Sequence, residues 1–444
     1  MTMSTTLLAG DAPRQHRDSA AGGSAPADPS FRPLLAPRSV AVAGDLQQHG
    51  HAGYEMLRSL RDYGFRGRLY PVHDSGRPVC GIPGYRTVAE LPEPADLIVL
   101  ATEAGRTPEV IRAAGRRGIP CAVLLNSADG RRHHEVLQAA RDHSVLIAGP
   151  GSFGVLNTDV RVRLNATLTR TRPPRGGLAL ASQSSAVGVA LLEHVARDGC
   201  GVASFVSAGD DLDLGNAGLI DYWYRDAHTR AVAVFPDSPA DHRRFAQAAR
   251  SLARRKPVLL IGSGHPDSVV ADPLVTEAGM VCTTSLDEMT DAARMLVNQP
   301  LPAGDRLGVV GNAGALTTIT GGTAKAYGFV VPAGCTIDLG AEAGPAEIAL
   351  SVEELTATGM VDIVVVVVVG SRSNCPAAIM TAIAGVLDRR PGLTAAAVLA
   401  GTPDDVHRVG LRDTPVYRQQ DRALRALSHA HRYARWRGRD SRPR

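Results

Sequence analysis

The sequence predicts an α/β protein made of three consecutive parallel-sheet units. Three observations predict it. Short apolar runs alternate with helical patterns along most of the 444 residues, the alternation that parallel strands and crossover helices produce. Each unit opens on the same device: an apolar run, a loop of small residues, then a helical pattern. The chain is 44% hydrophobic but only 4% aromatic, which suits layers filled by alanine, valine and glycine. The length allows about three domains of ordinary size.

The first unit begins at Phe31. Its strands are expected at Ser39–Ala43, Arg68–Val72, Asp96–Ala101, Pro120–Leu125 and Val145–Ala148, with helices over 52–63, 105–117 and 132–142. A doubly wound strand order would put a ligand at the point where the order reverses. The second unit follows Pro173-Pro174-Arg175-Gly176. Strands are expected at Leu178–Ala181, Val202–Ser207, Ala231–Phe235, Val258–Ile261 and Met280–Thr283, and helices at 184–197, 216–225, 239–254 and 285–297.

Residues 299–304 read as a linker. The third unit has strands at Leu307–Val310, Phe329–Val331, Asp362–Val369, Ala395–Leu399 and Pro415–Tyr417. A helix is expected over 315–327, and a last one over 420–436 carries Leu424, Leu427, His431 and Trp436. Val364–Val369 is too short to span a bilayer and reads as a strand buried on both faces. The expected divisions are a disordered leader over 1–30, units at 31–155, 175–298 and 305–437, and a basic tail over 438–444.

The net charge of +4 and the absence of a long basic run argue against nucleic acid as partner. Only two lysines occur, Lys256 and Lys325, so no G-x-x-x-x-G-K-[ST] phosphate loop exists. The six cysteines are spread singly, without C-x-x-C. That pattern points to structural thiols in a reducing compartment, the cytoplasm, with neither a disulfide framework nor a metal site. No signal peptide or membrane span is expected.

Several loops could carry chemistry. Ser182-Gln183-Ser184-Ser185 joins a strand to a helix, where unpaired N–H groups can hold an anion; an ordinary turn with a serine N-cap fits equally well. Gly209 follows the next strand and could complete a phosphate pocket. The first βα turn runs from Gly44 to Gly53 through Gly50, and its glycines let backbone approach a phosphate. A nicotinamide dinucleotide could use that turn, with Asp74 on the ribose, and so could a purely structural turn. Gly149-Pro150-Gly151-Ser152-Phe153-Gly154 ends the fifth strand with constrained backbone. Asp237 could orient a histidine, or it could cap the helix opening at Pro239. His73 and His265 each follow a strand, but no Ser/His/Asp set declares itself.

Together these stretches resemble the NDP-forming acyl-CoA synthetases, relatives of the succinyl-CoA synthetase α subunit. The matching segments are Ser39-Val40-Ala41-Val42-Ala43-Gly44, Leu69-Tyr70-Pro71-Val72, Gly149-Pro150 with Gly154-Val155-Leu156-Asn157, and Arg163-Leu164-Asn165-Ala166-Thr167. Further on they are Ser182-Gln183-Ser184, Gly188, Asp221-Tyr222-Trp223 and Arg254-Arg255-Lys256-Pro257-Val258. The resemblance implies a Rossmann-like CoA-binding domain followed by two flavodoxin-like ligase domains.

The resemblance also implies an acyl phosphate, attack on it by CoA, and phosphate relayed through a histidine to a nucleotide. The ATP/ADP site would belong to an ATP-grasp module, supplied here by a partner β subunit. Coenzyme A would lay its diphosphate on the first turn, at Gly44, Asp45, Gln47, Gly50, His51 and Gly53. Its adenosine would lie near His73, flanked by Ala101, Thr102, Asn126 and Ser127. Its pantetheine arm would run towards Gly149, Pro150 and Gly151 and the phosphate loop Ser182, Gln183, Ser184, Ser185 with Gly209.

Departures from the family cluster on phosphoryl transfer. The phosphohistidine segment is shortened around Gly264-His265, leaving His265 as the substitute, and Asp237 stands where the family has a glutamate. Gly209-Asp210-Asp211 puts two carboxylates beside the loop, and in a low-dielectric pocket they would repel a phosphate. The readings are therefore the α half of an acid–thiol ligase, working as an oligomer; a non-catalytic sensor or complex subunit that binds CoA or acyl-CoA; or an NAD-dependent oxidoreductase.

Overall fold

The computed structural model describes residues 31–440, apart from 104, 128–129, 211, 213, 237–238, 263–272 and 404. The leader, the tail beyond 440, Asp237 and His265 therefore lie outside the described residues. Three sheets follow one another along the chain. The first contains β1 (Ser39–Gly44), β2 (Arg68–Val72), β3 (Leu97–Ala101), β4 (Cys121–Leu124) and β5 (Leu146–Ala148), all parallel, in the order β2-β1-β3-β4-β5.

The second contains β6 (Gly154–Asn157), β7 (Leu164–Thr167), β8 (Arg175–Ser182), β9 (Val202–Ser207), β10 (Ala231–Phe235), β11 (Val258–Ile261) and β12 (Val281–Thr283), in the order β12-β11-β10-β8-β9-β6-β7. The third contains β13 (Leu307–Gly311), β14 (Thr336–Asp338), β15 (Ile363–Val369), β16 (Thr394–Ala400), β17 (Arg408–Val409) and β18 (Thr414–Tyr417), in the order β14-β13-β15-β16-β18-β17.

The three expected parallel-sheet units are present, and two of the sheets carry antiparallel additions. The hairpin β6–β7, for which no strand was expected, adds to the second sheet antiparallel to β9, and β17 runs antiparallel to β18. The expected strand Phe329–Val331 is wrong: Val330 makes only an isolated bridge to Arg306 and is exposed. The edge strand is instead Thr336–Asp338, whose Thr-Ile-Asp sequence has too little apolar content to announce itself. The helix expected over 239–254 is two helices, Pro239–Ala248 and Arg250–Arg255.

Side-chain alternation explains how four cores are shared by three sheets. In β1, Val40 and Val42 point into a core shared with the second sheet, whereas Ala41 and Ala43 point into a separate core on the outer face. In β8, Ala179 and Ala181 meet the first sheet, while Leu178 and Leu180 join a core shared with the third. The valine run of β15 divides in the same way: Val365 and Val367 face inward, and Val364, Val366 and Val368 face outward. A strand buried on both faces has no polar side to show, so its run is continuous.

Helix Leu286–Asn298 fills the seam between the second and third sheets and is buried from Met289 to Val297. It packs on the last helix, Gln420–Asp440. Burial there forces its charges into pairs. Arg422 donates to both oxygens of Asp291 at 2.6 and 2.9 Å. Buried Arg294 lies 3.8 Å from the same carboxylate and donates to the Val416 carbonyl at 2.6 Å.

At the start of this helix, Ser285 Oγ accepts from the Glu288 N–H, and Glu288 Oε2 accepts from Thr284 N–H and hydroxyl at 2.9 and 2.7 Å. His429 reaches the other oxygen, Oε1, at 2.8 Å. Arg432 donates to His429 Nδ1 at 2.8 Å, so the imidazole proton sits on Nε2 and is given to Glu288. Burial opposes the Glu288 charge, but the bonds from His429 and Thr284 prevail and hold its pKa at about 2. A depressed carboxyl stabilises the fold above its unfolded value, about 4.3, and that stability is lost as pH falls towards about 2. Glu288→Gln should therefore cost about 2 kcal/mol at pH 7 and flatten the decline in stability between pH 5 and 2. Urea unfolding across that range is the check; parallel curves for both proteins would refute the assignment.

Candidate functional site

The order β2-β1-β3 reverses direction between β1 and β3, and loops at the carboxyl ends of such strands leave a crevice. A cavity of about 490 Å³ lies there, lined by Gly44, Asp45, Gln47, His73, Asp74, Ala101, Thr102 and Arg106 among others. Gly44 is required by its surroundings: its φ is +142°, and a Cβ would stand 2.4 Å from the Ala101 carbonyl oxygen.

The cavity walls are ordered by their own hydrogen bonds. His73 Nε2 meets the Arg77 carbonyl at 2.9 Å, so it carries the proton. Nδ1 then accepts from Ser75 Oγ at 3.1 Å, and Ser75 Oγ accepts from Gln47 Nε2 at 2.6 Å. Across the mouth, Arg106 donates to both oxygens of Asp74 at 3.0 and 2.9 Å. The Arg106 guanidinium holds the Asp74 carboxyl below its ordinary range. Ser75 and Arg106 were not expected from sequence; Ser75 could have been found as the second residue after His73, whereas Arg106 carries no local signal.

Gly50, His51 and Gly53 of the expected diphosphate turn do not line this cavity, and neither do the expected flanking residues Asn126 and Ser127. Gly50 donates its N–H to Glu55 Oε1 at 3.1 Å, and His51 Nδ1 lies 2.6 Å from Asp45 Oδ2. Gly53 is buried beneath the turn, and a Cβ there would stand 2.7 Å from Leu46 Cδ2 and 2.8 Å from the Asp45 carbonyl. The two glycines thus differ in kind. Gly50 has φ +87° and nothing within 4 Å of an added Cβ, so Gly50→Val carries left-handed strain of about 1–2 kcal/mol alone. Gly53→Val overpacks the turn at about 1–3 kcal/mol and should close the cavity as well. Thermal melts with and without CoA separate them: Gly53→Val should lose the ligand-induced shift that Gly50→Val keeps.

A hydrogen-bonded path leads from this cavity to the second sheet. Asn126 Nδ2 donates to the Thr102 carbonyl at 2.6 Å, and the Gly151 N–H donates to the Asn126 carbonyl at 3.2 Å. Ser185 Oγ donates in turn to the Gly151 carbonyl and lies 3.1 Å from Ser207 Oγ. Ser127 and Pro150 lie beside this path with Asn126. Three loops therefore meet, those after β5, β8 and β9. Their joint is tight: the Gly149 N–H donates to the Ala208 carbonyl at 2.7 Å, Ser152 Oγ to the Ser207 carbonyl at 2.6 Å, and the Asp210 N–H to the Pro150 carbonyl at 3.2 Å.

Within the expected phosphate loop the hydroxyls serve backbone. Ser182 Oγ donates to the Ser184 carbonyl at 2.6 Å. Ser184 Oγ caps helix Ser185–Arg197 by accepting from the Val187 N–H at 3.4 Å. The Gln183 N–H donates to the Phe235 carbonyl at 3.0 Å, continuing the β8–β10 ladder. Gly209, with φ +67°, lies against Gly149 and Pro150.

Other residues that carried the family resemblance support the frame. The Arg163 guanidinium donates twice to the Tyr63 carbonyl, at 3.0 and 2.8 Å. Lys256, 8% exposed, donates to the Trp223 and Asp226 carbonyls and so closes the carboxyl end of helix Ala217–Arg225. Among the described residues no cluster of three metal-ligating side chains occurs, and no helix is long and apolar enough to cross a membrane.

Comparison with known proteins agrees with this geometry. Residues 38–158 match a family described as CoA binding domain, and residues 175–296 match one described as succinyl-CoA ligase like flavodoxin domain. The alpha subunit of the ADP-forming acetate–CoA ligase I of Pyrococcus furiosus is 30% identical over 328 residues, 68% of this chain and 70% of that one. The ADP-forming acetate–CoA ligase of Methanocaldococcus jannaschii is 26% identical over 66% of this chain, which spans only 44% of that relative's length.

A solved dinucleotide forming acetyl-coenzyme A synthetase 1 of Ca. Korarchaeum cryptofilum, in complex with phosphate and ADP, superposes with a TM-score of 0.85. It covers 94% of this chain and 100% of its own, at 23% identity, and so testifies to the fold. With its CoA-binding domain, its ligase-type second unit and its likeness to ADP-forming ligase alpha subunits, the chain belongs to the NDP-forming acyl-CoA synthetases.

Proposed function

We propose that the chain is the α half of an acid–thiol ligase that binds coenzyme A in the cavity at the ends of β1, β2 and β3. Its nucleotide site would lie on a separate ATP-grasp subunit, in a cytoplasmic oligomer. The observation that carries the reading is the path Thr102–Asn126–Gly151–Ser185, which joins the cavity to the helix start at Ser185. The adenosine end would lie by His73 and the Asp74–Arg106 pair. The thiol would point along that path to the corner where the three loops meet.

The chemistry is acyl transfer through an acyl phosphate. The chain's own contribution is to hold CoA and to present backbone N–H groups at the start of helix Ser185–Arg197 to a phosphoryl oxygen. The further roles of Asp237 and His265, and the functional limits 31–155, 175–298 and 305–437, are part of the same proposal.

One observation favours a second reading, a CoA-binding subunit without turnover. The Ser182 and Ser185 hydroxyls are already committed to backbone carbonyls and so do not point into an empty cradle. Two measurements decide. Calorimetric titration with CoA should give binding that Arg106→Glu weakens about tenfold, or about 1.4 kcal/mol; no binding at millimolar CoA rejects both readings. γ-³²P-ATP with the cognate ATP-grasp subunit should leave acid-labile label on His265. CoA binding without label or CoA-dependent nucleotide turnover selects the second reading.

A further inference from the structure

A different cavity lies at the N-terminal end of β12, on the edge of the second sheet. Its volume is about 350 Å³, and Met280, Val281 and Cys282 form one wall. The other wall is the last helix, which contributes Arg432, Arg435, Trp436 and Arg439. The spacing i, i+3, i+4 and i+7 puts these four side chains on one helical face. The ring of Trp436 lies over Gly279, where a Cβ would come within 2.3 Å of it, and its Nε1 donates to the Glu277 carbonyl at 3.0 Å. The Tyr433 ring stacks beside it at 6.0 Å and 23°.

Charge decides what this cavity suits. Three guanidinium groups line it and, among its described lining residues, no carboxylate does. The nearby Glu288 is already engaged by His429 and Thr284. By contrast, the larger cleft of about 910 Å³ beside Phe31 has carboxylates in its lining, Asp159 paired with Arg161 and Asp221 with Arg225. Guanidinium forks of like charge in one cleft call for an anion with several acceptor oxygens. We infer that the cleft between β12 and the last helix binds the phosphoryl group of a small ligand, at the end of the second sheet opposite the three-loop joint. The inference does not rest on CoA binding.

Two sources share that chemistry: an inorganic phosphate or diphosphate, and a nucleotide whose base would lie against Trp436. The full chain is titrated with inorganic pyrophosphate, AMP and ADP at low ionic strength. A Kd below about 1 mM is expected for at least one of them, weakened at least tenfold by Arg435→Glu and by Arg439→Glu. Arg435 and Arg439 are exposed, and Arg439→Gln supplies a milder variant if the charge reversals fail to fold. Tighter binding of ADP than of pyrophosphate identifies a nucleotide, and the reverse order identifies the inorganic anion; either supports the site. No binding at about 10 mM overturns it. So does binding that the two glutamate variants leave intact, or binding only of a long polyanion such as RNA.

Discussion

Asp291→Ala should lower the unfolding free energy by about 3–5 kcal/mol, the usual cost of removing one partner from a buried ion pair. The carboxylate is 1% exposed and faces Arg422, Arg294 and, at 4.0 Å, Arg425. Burial pushes the Asp291 pKa up, and Arg422 pulls it back. Without Asp291 the buried Arg294 loses its counter-charge at the seam between the second and third sheets. Replacing both members, as Asp291→Ala with Arg422→Met, should cost less than the two single changes together, because Arg422 is then not left without its counter-charge, whereas Arg294 still is. Urea unfolding of the four proteins in a double-mutant cycle measures this. A single-variant loss below about 0.5 kcal/mol would show that the pair bears little on stability.

Gly209→Val should be nearly as damaging. A Cβ at this position would stand 2.4 Å from the Pro150 oxygen and 2.5 Å from Gly149 Cα, on backbone with φ +67°. Left-handed strain of about 1–2 kcal/mol and overpacking of about 1–3 kcal/mol together suggest about 3 kcal/mol. Gly334 isolates the strain, because its φ is +79° and nothing lies within 4 Å of its Cβ position. The loss for Gly209→Val should exceed that for Gly334→Val by at least about 1 kcal/mol. CoA titration should also fall for Gly209→Val, since the loop that ends at Gly151 would be displaced. Equal losses for the two glycines would mean that the loops after β5 and β9 yield freely to one another.

Much of the frame was legible because each strand shows its period. Arg68–Val72, Val202–Ser207, Ala231–Phe235 and Val258–Ile261 fall where the apolar runs place them. Helix Ala52–Tyr63 ends at Gly64, whose left-handed φ of +79° the turn needs. Less legible were helices Pro345–Ala357 and Pro376–Asp388, which lie in alanine-rich sequence with little polar contrast and were not expected. The hairpin β6–β7 was hidden because its glycine and asparagines give no continuous apolar run, and it is fixed by pairing of the two strands with each other and of β6 with β9.

The candidate site shows the same limit. Gly44, His73, Ala101 and Thr102 could be placed by their position after strands, as the doubly wound rule says. Gly53 could not be told from Gly50, since one packs against Leu46 and the other against nothing. Asp291 and Arg422 are 131 residues apart, and no local pattern links them.

The tucked-away Lys256 has a practical corollary for anyone handling this protein. Of its two lysines, that one is sequestered, 8% exposed, with its ammonium spent on carbonyls, whereas Lys325 is exposed. Amine-directed dyes, cross-linkers and acetylating reagents will therefore find one lysine side chain, Lys325, on the folded chain. A fluorophore can be mounted at Lys325 without mutagenesis, as a reporter on the third sheet's flank.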